Sequence, residues 1–283
     1  MDWDSPLISR LIDYWIEEDL GNGDLTESII THKIGRAEWI AKEKGIFCGT
    51  EIIKRIFNKI DSQIEIDFST KDGSEFIQNE SILKLKGSPK SLLAGERITL
   101  NIAMHLSGIS TYTNNLVSKL KGTKINLADT RKTTPGLRKL EKYAFKCGGG
   151  INHRMGLYDA AMIKENHIAW SNNLQDSVKS IRLNTPFTTH IIIEVENINQ
   201  AKDAILAGAD SILLDEIDPN ILRNNIDSLR EISERNSNKI IIEVSGIKPE
   251  AIDDYLIDGI DLISTSSSVT KSNWIDLSMR YIN

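Results

Sequence analysis

The order of apolar and polar positions changes character once along the 283-residue chain. Up to about residue 120 two periods are mixed. "SPLISRLIDYW" sets Leu7, Leu11, Ile12 and Trp15 on one helical face, with Ser5 as cap and Pro6 in the first turn. "RAEWIAKEKGIFCG" predicts a strand ending in a turn, and "IEIDF" and "SILKLKG" alternate as half-buried strands do. A longer helix is expected roughly from Leu92 to Leu120. From about residue 122 strands and helices take turns: "KINLAD", "AAMIK", "HIIIEV", "SILLD", "KIIIEV" and "DLIST" are candidate strands, with helical segments such as "NQAKDAILAGA" and "PNILRNNIDSLREISERN" between the later ones. Apolar, β-branched strands alternating with helices predict parallel pairing, in a barrel or a doubly wound sheet; the spacing does not choose between them.

Each of these strands ends on, or close to, a polar group. In order these are Asp129-Thr130-Arg131-Lys132, Lys164, Glu194 with Glu196, Asp215 with Glu216, Ser245-Gly246 and Ser264-Thr265-Ser266. Active sites of parallel α/β folds form at the C-terminal ends of strands, so six such endings predict one site there.

Charge sharpens the picture. The chain carries a net −6, yet Arg131 to His167 holds eight Lys/Arg against three Asp/Glu. Lys139, Lys142 and Lys146 recur at helical spacing and are expected to face water. Arg131, Lys132, Arg154 and Lys164 sit beside strand ends and glycine turns, where several cations imply a polyanionic ligand. "CGGG" lets the chain turn tightly ahead of His153 and Arg154. Glu194 and Asp215, on neighbouring strands, suit Mg²⁺ or sugar hydroxyls, and sequence leaves open whether Glu194 or Glu196 points inward. The hydroxyl-rich "VSGI" and "STSSSVTKS" turns suit phosphate.

Other classes are excluded or disfavoured. No apolar run is long enough to span a bilayer and no secretory signal is seen. The acidic balance argues against general nucleic-acid binding. No dinucleotide fingerprint or metal spacing of histidines occurs, and His105 and His190 read as structural. Cys48 and Cys147, in no metal or redox spacing, fit buried thiols in a reducing, cytoplasmic setting.

"DTRKTTPGLRKLEKYAFKCGGGINHRMGLYDAAMIKENHI" closely resembles the signature of the quinolinate phosphoribosyltransferase family, and "EEDLGNGDLT", "AGERITLNIAMHLSGIST" and "EVENINQAKDAILAGADSILLDE" extend the resemblance over nearly the whole chain. The resemblance implies an α/β fold: an N-terminal α/β sandwich over residues 1–110, completed by about 270–283, and an open α/β barrel (an incomplete TIM-like barrel) over 111–269. It implies a homo-oligomer, a dimer or hexamer, with sites shared between subunits. The implied reaction joins quinolinate to 5-phosphoribosyl 1-pyrophosphate (PRPP) with Mg²⁺, releasing pyrophosphate and CO₂ and giving nicotinate mononucleotide for NAD biosynthesis.

The resemblance also implies residue roles. Arg131, His153, Arg154 and Lys164 match quinolinate-carboxylate positions, and Arg97 matches an arginine contributed by the neighbouring subunit. Lys132 lies near PRPP, and Glu194 and Asp215 face the ribose and metal. Lys132, Lys164, Glu194 and Asp215 are the expected catalytic group; Ser245, Gly246, Ser266 and Ser267 are expected at the phosphates. The chain departs from the family pattern at Glu216 (usually asparagine), Ile247 (glycine), Ser266 (glycine) and Thr270 (histidine), with Lys271 nearby. Two alternatives accompany this reading: a paralogous transferase using another base or donor, and a catalytically weak anion-binding homologue.

Overall fold

The computed structural model describes residues 1–171, 173–236 and 239–282. In chain order, α1 (Pro6–Leu20), β1 (Gly35–Ala41), β2 (Gly45–Ile46), α2 (Thr50–Ile60), β3 (Glu65–Ser69), β4 (Glu75–Phe76), β5 (Ser81–Gly87) and α3 (Pro89–Lys119) come first. Then follow β6 (Asn126–Ala128), α4 (Arg138–Cys147), β7 (Ala161–Ile163), α5 (Glu165–Ala169), α6 (Leu174–Asn184), β8 (Ile191–Val195) and α7 (Ile198–Leu206). The last are β9 (Ser211–Asp215), α8 (Pro219–Arg235), β10 (Ile241–Ser245), β11 (Leu262–Ser264), α9 (Ser267–Thr270) and β12 (Leu277–Ile282). Two compact units divide the chain, one of Met1–Asn114, Thr133–Gly149 and Ser268–Asn283, the other of Asn115–Lys132 and Gly150–Ser267. Asn283 itself lies outside the described residues.

The first unit is built on a sheet of order β12-β1-β5-β3, its described pairs all antiparallel. β12 pairs with β1 from Arg36 opposite Ile282 to Ala41 opposite Leu277. Trp39, Leu83 and Leu85 from the sheet, Ile53 and Phe57 from α2, and Leu100 from α3 form one apolar core. Burying such side chains is the main stabilising term, about 1.5–3 kcal/mol each. Gly95 is required where α2 and α3 meet, because a Cβ there would stand 2.4 Å from the Phe57 ring.

Two expectations for this unit need correction. Ser5 occupies the cap position of α1 but makes no side-chain capping bond, and its hydroxyl is buried without a partner. Pro6 at the start of the helix and burial of Ile8 and Ile12 set this end instead; Leu7, Leu11 and Trp15 are only half-buried. Lys142 is 1 % exposed rather than solvated. The reason is that α4 is covered on several sides: Leu140, Glu141, Lys142, Ala144 and Phe145 are all buried, and only Lys146 of the three lysines is fully exposed. This stretch, which the sequence reading put within the 111–269 segment, clusters with the first unit.

Glu141 shows how a buried charge is tolerated on α4. Burial pushes its carboxyl up, but hydrogen bonds from His105 (3.0 Å) and the Thr134 N–H (2.9 Å) more than offset this and hold it below the ordinary range. His105 thus has a structural partner. Cys48 and Cys147, distant in sequence, lie with the Asp72 carboxylate within 4.8 Å of one another. Asp72 is engaged in capping α2, accepting from Gly49 N–H, Thr50 N–H and the Thr50 hydroxyl.

The second unit carries a six-stranded parallel sheet of order β6-β11-β10-β9-β8-β7. Ile151 adds a parallel bridge outside β6, at Ala128. Among the described residues nothing pairs this edge with β7, so the barrel is open. Its helices start where short polar side chains stop the preceding turn: Asn173, Asn197 and Asp218 each accept a backbone N–H as caps of α6, α7 and α8. No helix of the described residues is long and apolar enough to cross a membrane.

The β12–β1 pairing carries a bidentate ion pair, Arg280 Nε and Nη2 to Glu38 Oε1 at 2.9 and 2.8 Å, and this holds the Glu38 carboxyl below the usual range. Arg280 is largely exposed, so Arg280→Ala is expected to cost about 1 kcal/mol at neutral pH. Because the folded-state value is depressed, the contribution is complete above the ordinary glutamate range and disappears as pH falls through the depressed value. Denaturant titrations of both proteins at pH 7 and in acid should show the gap closing in acid; a gap independent of pH would refute the assignment.

Candidate active site

Strand register decides which side chains share the inner face of the second unit. Glu194 on β8, Leu213 on β9 and Glu243 on β10 stand in one rung, and Asp215 and Ser245 pair in the rung above. Residues from, or immediately after, all six strands line a single cavity of about 290 Å³: Asp129, Met162 and Lys164, Glu194, Leu213 and Asp215, Glu243 and Ser245, and Ser264. Such convergence at strand C-termini is the placement expected for a ligand site in a parallel α/β fold.

Four cations join them, Arg131, Lys132, Arg154 and Lys164, together with His153. Arg154 is desolvated and sits in the field of Arg131, and both effects lower its pKa, against the opposing pull of Glu194. The like charge of Arg131 thus disfavours the Arg154 cation, a penalty that a bound anion would relieve. Arg154 is fixed by its own unit, donating from Nη1 to the Ala160 carbonyl (3.0 Å) and from Nη2 to Met162 Sδ (3.3 Å). Lys164 lies directly after β7 and its Nζ donates to Glu194 Oε2 at 2.6 Å. The "IKENH" stretch sets this up: His167 Nδ1 accepts the Lys164 N–H (3.1 Å) and closes the first turn of α5.

Glu194 is therefore the inward carboxylate. Glu196 lies past the end of β8, exposed, its N–H bonded to Gln200. Lys132 is exposed at the rim, with its N–H on the Thr130 hydroxyl.

Several expected site residues stand elsewhere. Arg97 is on α3 in the first unit, exposed, lining a separate cavity of about 610 Å³ with Glu18, Asp19, Asn101, His105 and Trp274. Ser266 and Ser267 lie at the start of the one-turn α9 and are not among the residues that line the barrel cavity; Ser267 is buried, its N–H on the Thr265 hydroxyl. Gly246 follows the lining residue Ser245 at φ +75°, where a Cβ would meet the Glu216 side chain at 2.4 Å. His190 is occupied by Ser211 (2.5 Å), and burial lowers its pKa.

The sequence placed Asp129 at a strand end without giving it a role, and it did not single out Glu243. Asp129 is 3 % exposed and accepts from Asn152 Nδ2 (2.7 Å) and His153 N–H (2.8 Å), which pins the segment carrying His153 and Arg154. Glu243, 1 % exposed, faces His153 Nε2 at 3.2 Å. A signal for Glu243 existed: the pentapeptide "IIIEV" occurs at 191–195 and again at 240–244, and only its first glutamate was singled out.

Comparison with known proteins agrees with this geometry. Residues 24–107 match the family model described as quinolinate phosphoribosyl transferase, N-terminal domain, and residues 109–280 match its C-terminal domain. The chain is 39 % identical over 274 residues to a probable nicotinate-nucleotide pyrophosphorylase [carboxylating] of Bacillus subtilis, covering 96 % of this chain and 92 % of that one. Identity to the Synechocystis sp. protein of the same name is 36 % over 279 residues, 98 % and 93 % of the two chains. A solved nicotinate-nucleotide pyrophosphorylase from Francisella tularensis superposes with a TM-score of 0.89 at 35 % identity, covering 98 % and 96 %.

Glu216, at φ +54°, is one of two non-glycine residues with left-handed backbone among those described. Asparagine, the residue usual in the family pattern, tolerates that conformation better. Glu216→Asn is expected to raise the unfolding free energy by roughly 0.5 kcal/mol. Urea titration checks it, and equal or lower stability would contradict the backbone argument.

Proposed function

Since the chain belongs to the quinolinate phosphoribosyltransferase family, we propose that the barrel cavity joins quinolinate to PRPP and releases pyrophosphate and CO₂, giving nicotinate mononucleotide. The observation that carries this reading is the gathering of Arg131, Arg154, Lys164 and Lys132 in one cavity at the strand ends, with Arg154 partly desolvated in the field of Arg131. Quinolinate is a dianion and PRPP carries more charge still. Bringing them together needs cations already in place, and fixed charges in a poorly solvated site act more strongly than in water.

In this reading Arg131, Arg154 and Lys164 hold the two carboxylates and turn the ring nitrogen toward C1 of the sugar. The C1–O bond to pyrophosphate breaks, the oxygen keeping the electron pair, as the N–C1 bond forms. Positive charge building on the sugar is stabilised by Glu194 and Asp215, with Lys132 on the leaving pyrophosphate. The ring nitrogen, now quaternary, draws electrons as the bond to the C2 carboxylate breaks; CO₂ leaves, and a proton takes its place at C2. The "carboxylating" label of the relatives names the reverse direction.

Glu194 is already bonded to Lys164, and no three potential metal ligands cluster at this cavity among the described residues. That donor set suits Mg²⁺ carried in on the phosphates and met by Asp215 and Glu194, where it would neutralise charge on the pyrophosphate. Ser245 and Gly246 lie at the rim beside Asp215, and Ser266 and Ser267 follow β11; these are the proposed phosphate contacts.

We also propose a homo-oligomer in which Arg97 reaches the cavity of a second copy. Arg97 is exposed, and Leu157, Tyr158 and Trp170, close in sequence to the open β7 edge, leave large apolar surface uncovered. Two free thiols fit a reducing cytoplasm.

Purified protein with quinolinate, PRPP and Mg²⁺ should yield nicotinate mononucleotide and CO₂; no product with both substrates saturating would refute the reading. Arg97→Ala and Arg154→Ala should each weaken quinolinate binding by about tenfold or more, in line with roughly 1.5–3 kcal/mol for charged hydrogen bonds. Mixing inactive Arg97→Ala and Lys164→Ala proteins should restore part of the activity, since mixed assemblies contain an intact site. Failure to complement, with subunit exchange verified, would contradict sharing.

A further inference from the structure

Glu243 is a buried carboxylate of the inner face for which the mechanism above has no use. It stands in the same rung as Glu194, on the other side of β9, and in the same "IIIEV" context. Each of the two faces a basic side chain: Glu194 takes Lys164 Nζ at 2.6 Å, and Glu243 Oε2 takes His153 Nε2 at 3.2 Å. The rung neighbours of Glu243 on β9 and β11 are Leu213 and Leu262, so an apolar residue would fit its place. Its Oε1 is buried with no hydrogen-bond partner. A carboxylate kept at such a position, half satisfied and amid leucines, weakens the fold rather than supporting it.

His153 shows what Glu243 does. The ring's Nδ1 accepts the main-chain N–H of Arg154 at 2.7 Å. An acceptor at Nδ1 places the proton of the neutral ring on Nε2, where it is donated to Glu243. Were the proton on Nδ1, two N–H groups would face each other and the bond to Arg154 would be lost. The main chain of His153 is separately held by Asp129, so the ring is what links the Arg154 backbone to the barrel floor.

We propose that Glu243 is a positioning residue for the carboxylate-binding wall: it fixes the His153 ring as the Nε2–H tautomer, and thereby sets the backbone from which the Arg154 guanidinium enters the cavity. The kinetic part of this proposal rests on the quinolinate reading; the ring tautomer does not. Glu243→Gln keeps an acceptor for Nε2–H and removes the charge. Glu243→Leu removes the acceptor and extends the apolar rung, which keeps the variant foldable.

Proton and nitrogen NMR of histidine-labelled protein, with the His153 signals assigned by their absence in His153→Asn, reads the tautomer directly. Wild type and Glu243→Gln should show Nε2–H only, and Glu243→Leu should lose that single state. In steady-state kinetics Glu243→Leu should raise the KM for quinolinate by about tenfold or more, with the KM for PRPP within about threefold; Glu243→Gln should stay within about threefold for both. A single Nε2–H tautomer persisting in Glu243→Leu overturns the proposal, as does an unchanged quinolinate KM once the tautomer has changed. If wild type turns over no quinolinate, the kinetic part falls with that reading, while the NMR still decides whether Glu243 holds His153.

Discussion

Like-charge repulsion at the cavity mouth is the constraint around which the second unit is arranged. Partial burial and the nearby Arg131 charge make Arg154 less favourable as a cation, against the opposing pull of Glu194. The carboxylates around them make the arrangement tolerable: Glu194 takes Lys164, Glu243 faces the His153 ring, and Asp129 anchors the backbone before Arg154. Four cations and four carboxylates thus line one cavity as fixed, mutually oriented charges, and such preorganisation is where most of an enzyme's electrostatic advantage arises.

Much of this was legible from sequence because it is local. "SILLD" and "SILKLKG" became β9 and β5 with the same bounds, since apolar β-branched runs between turns leave few alternatives. The strand-end rule places Lys164, Glu194, Asp215 and Ser245 at one site, and all four line one cavity. What stayed hidden depends on contacts between segments far apart. Periodicity located the α4 stripe, but only packing reveals that α4 is covered on several sides and that Lys142 is buried. The Lys164–Glu194 bond and the Glu243–His153 contact require the inter-strand register, and His153 and Glu243 are 90 residues apart. Arg97 stands in the first unit, and its proposed role belongs to an assembly of two chains.

The departures from the family pattern fall among the turns proposed for the phosphates. Gly246 keeps its glycine-only geometry and lies against Glu216, itself in a left-handed backbone that suits asparagine. "SSSVT" closes into the one-turn α9 with Ser267 and Ser268 buried. The residues proposed for the carboxylates, by contrast, are braced by hydrogen bonds from several strands.

The central claim is that the cation cluster is built for two carboxylates rather than one. Calorimetric titration of the protein with quinolinate and, separately, with nicotinate, which lacks the second carboxylate, tests it most directly. The account predicts quinolinate affinity higher by about tenfold or more, from the charged hydrogen bonds that only the dianion makes. Equal affinities for the two would contradict it.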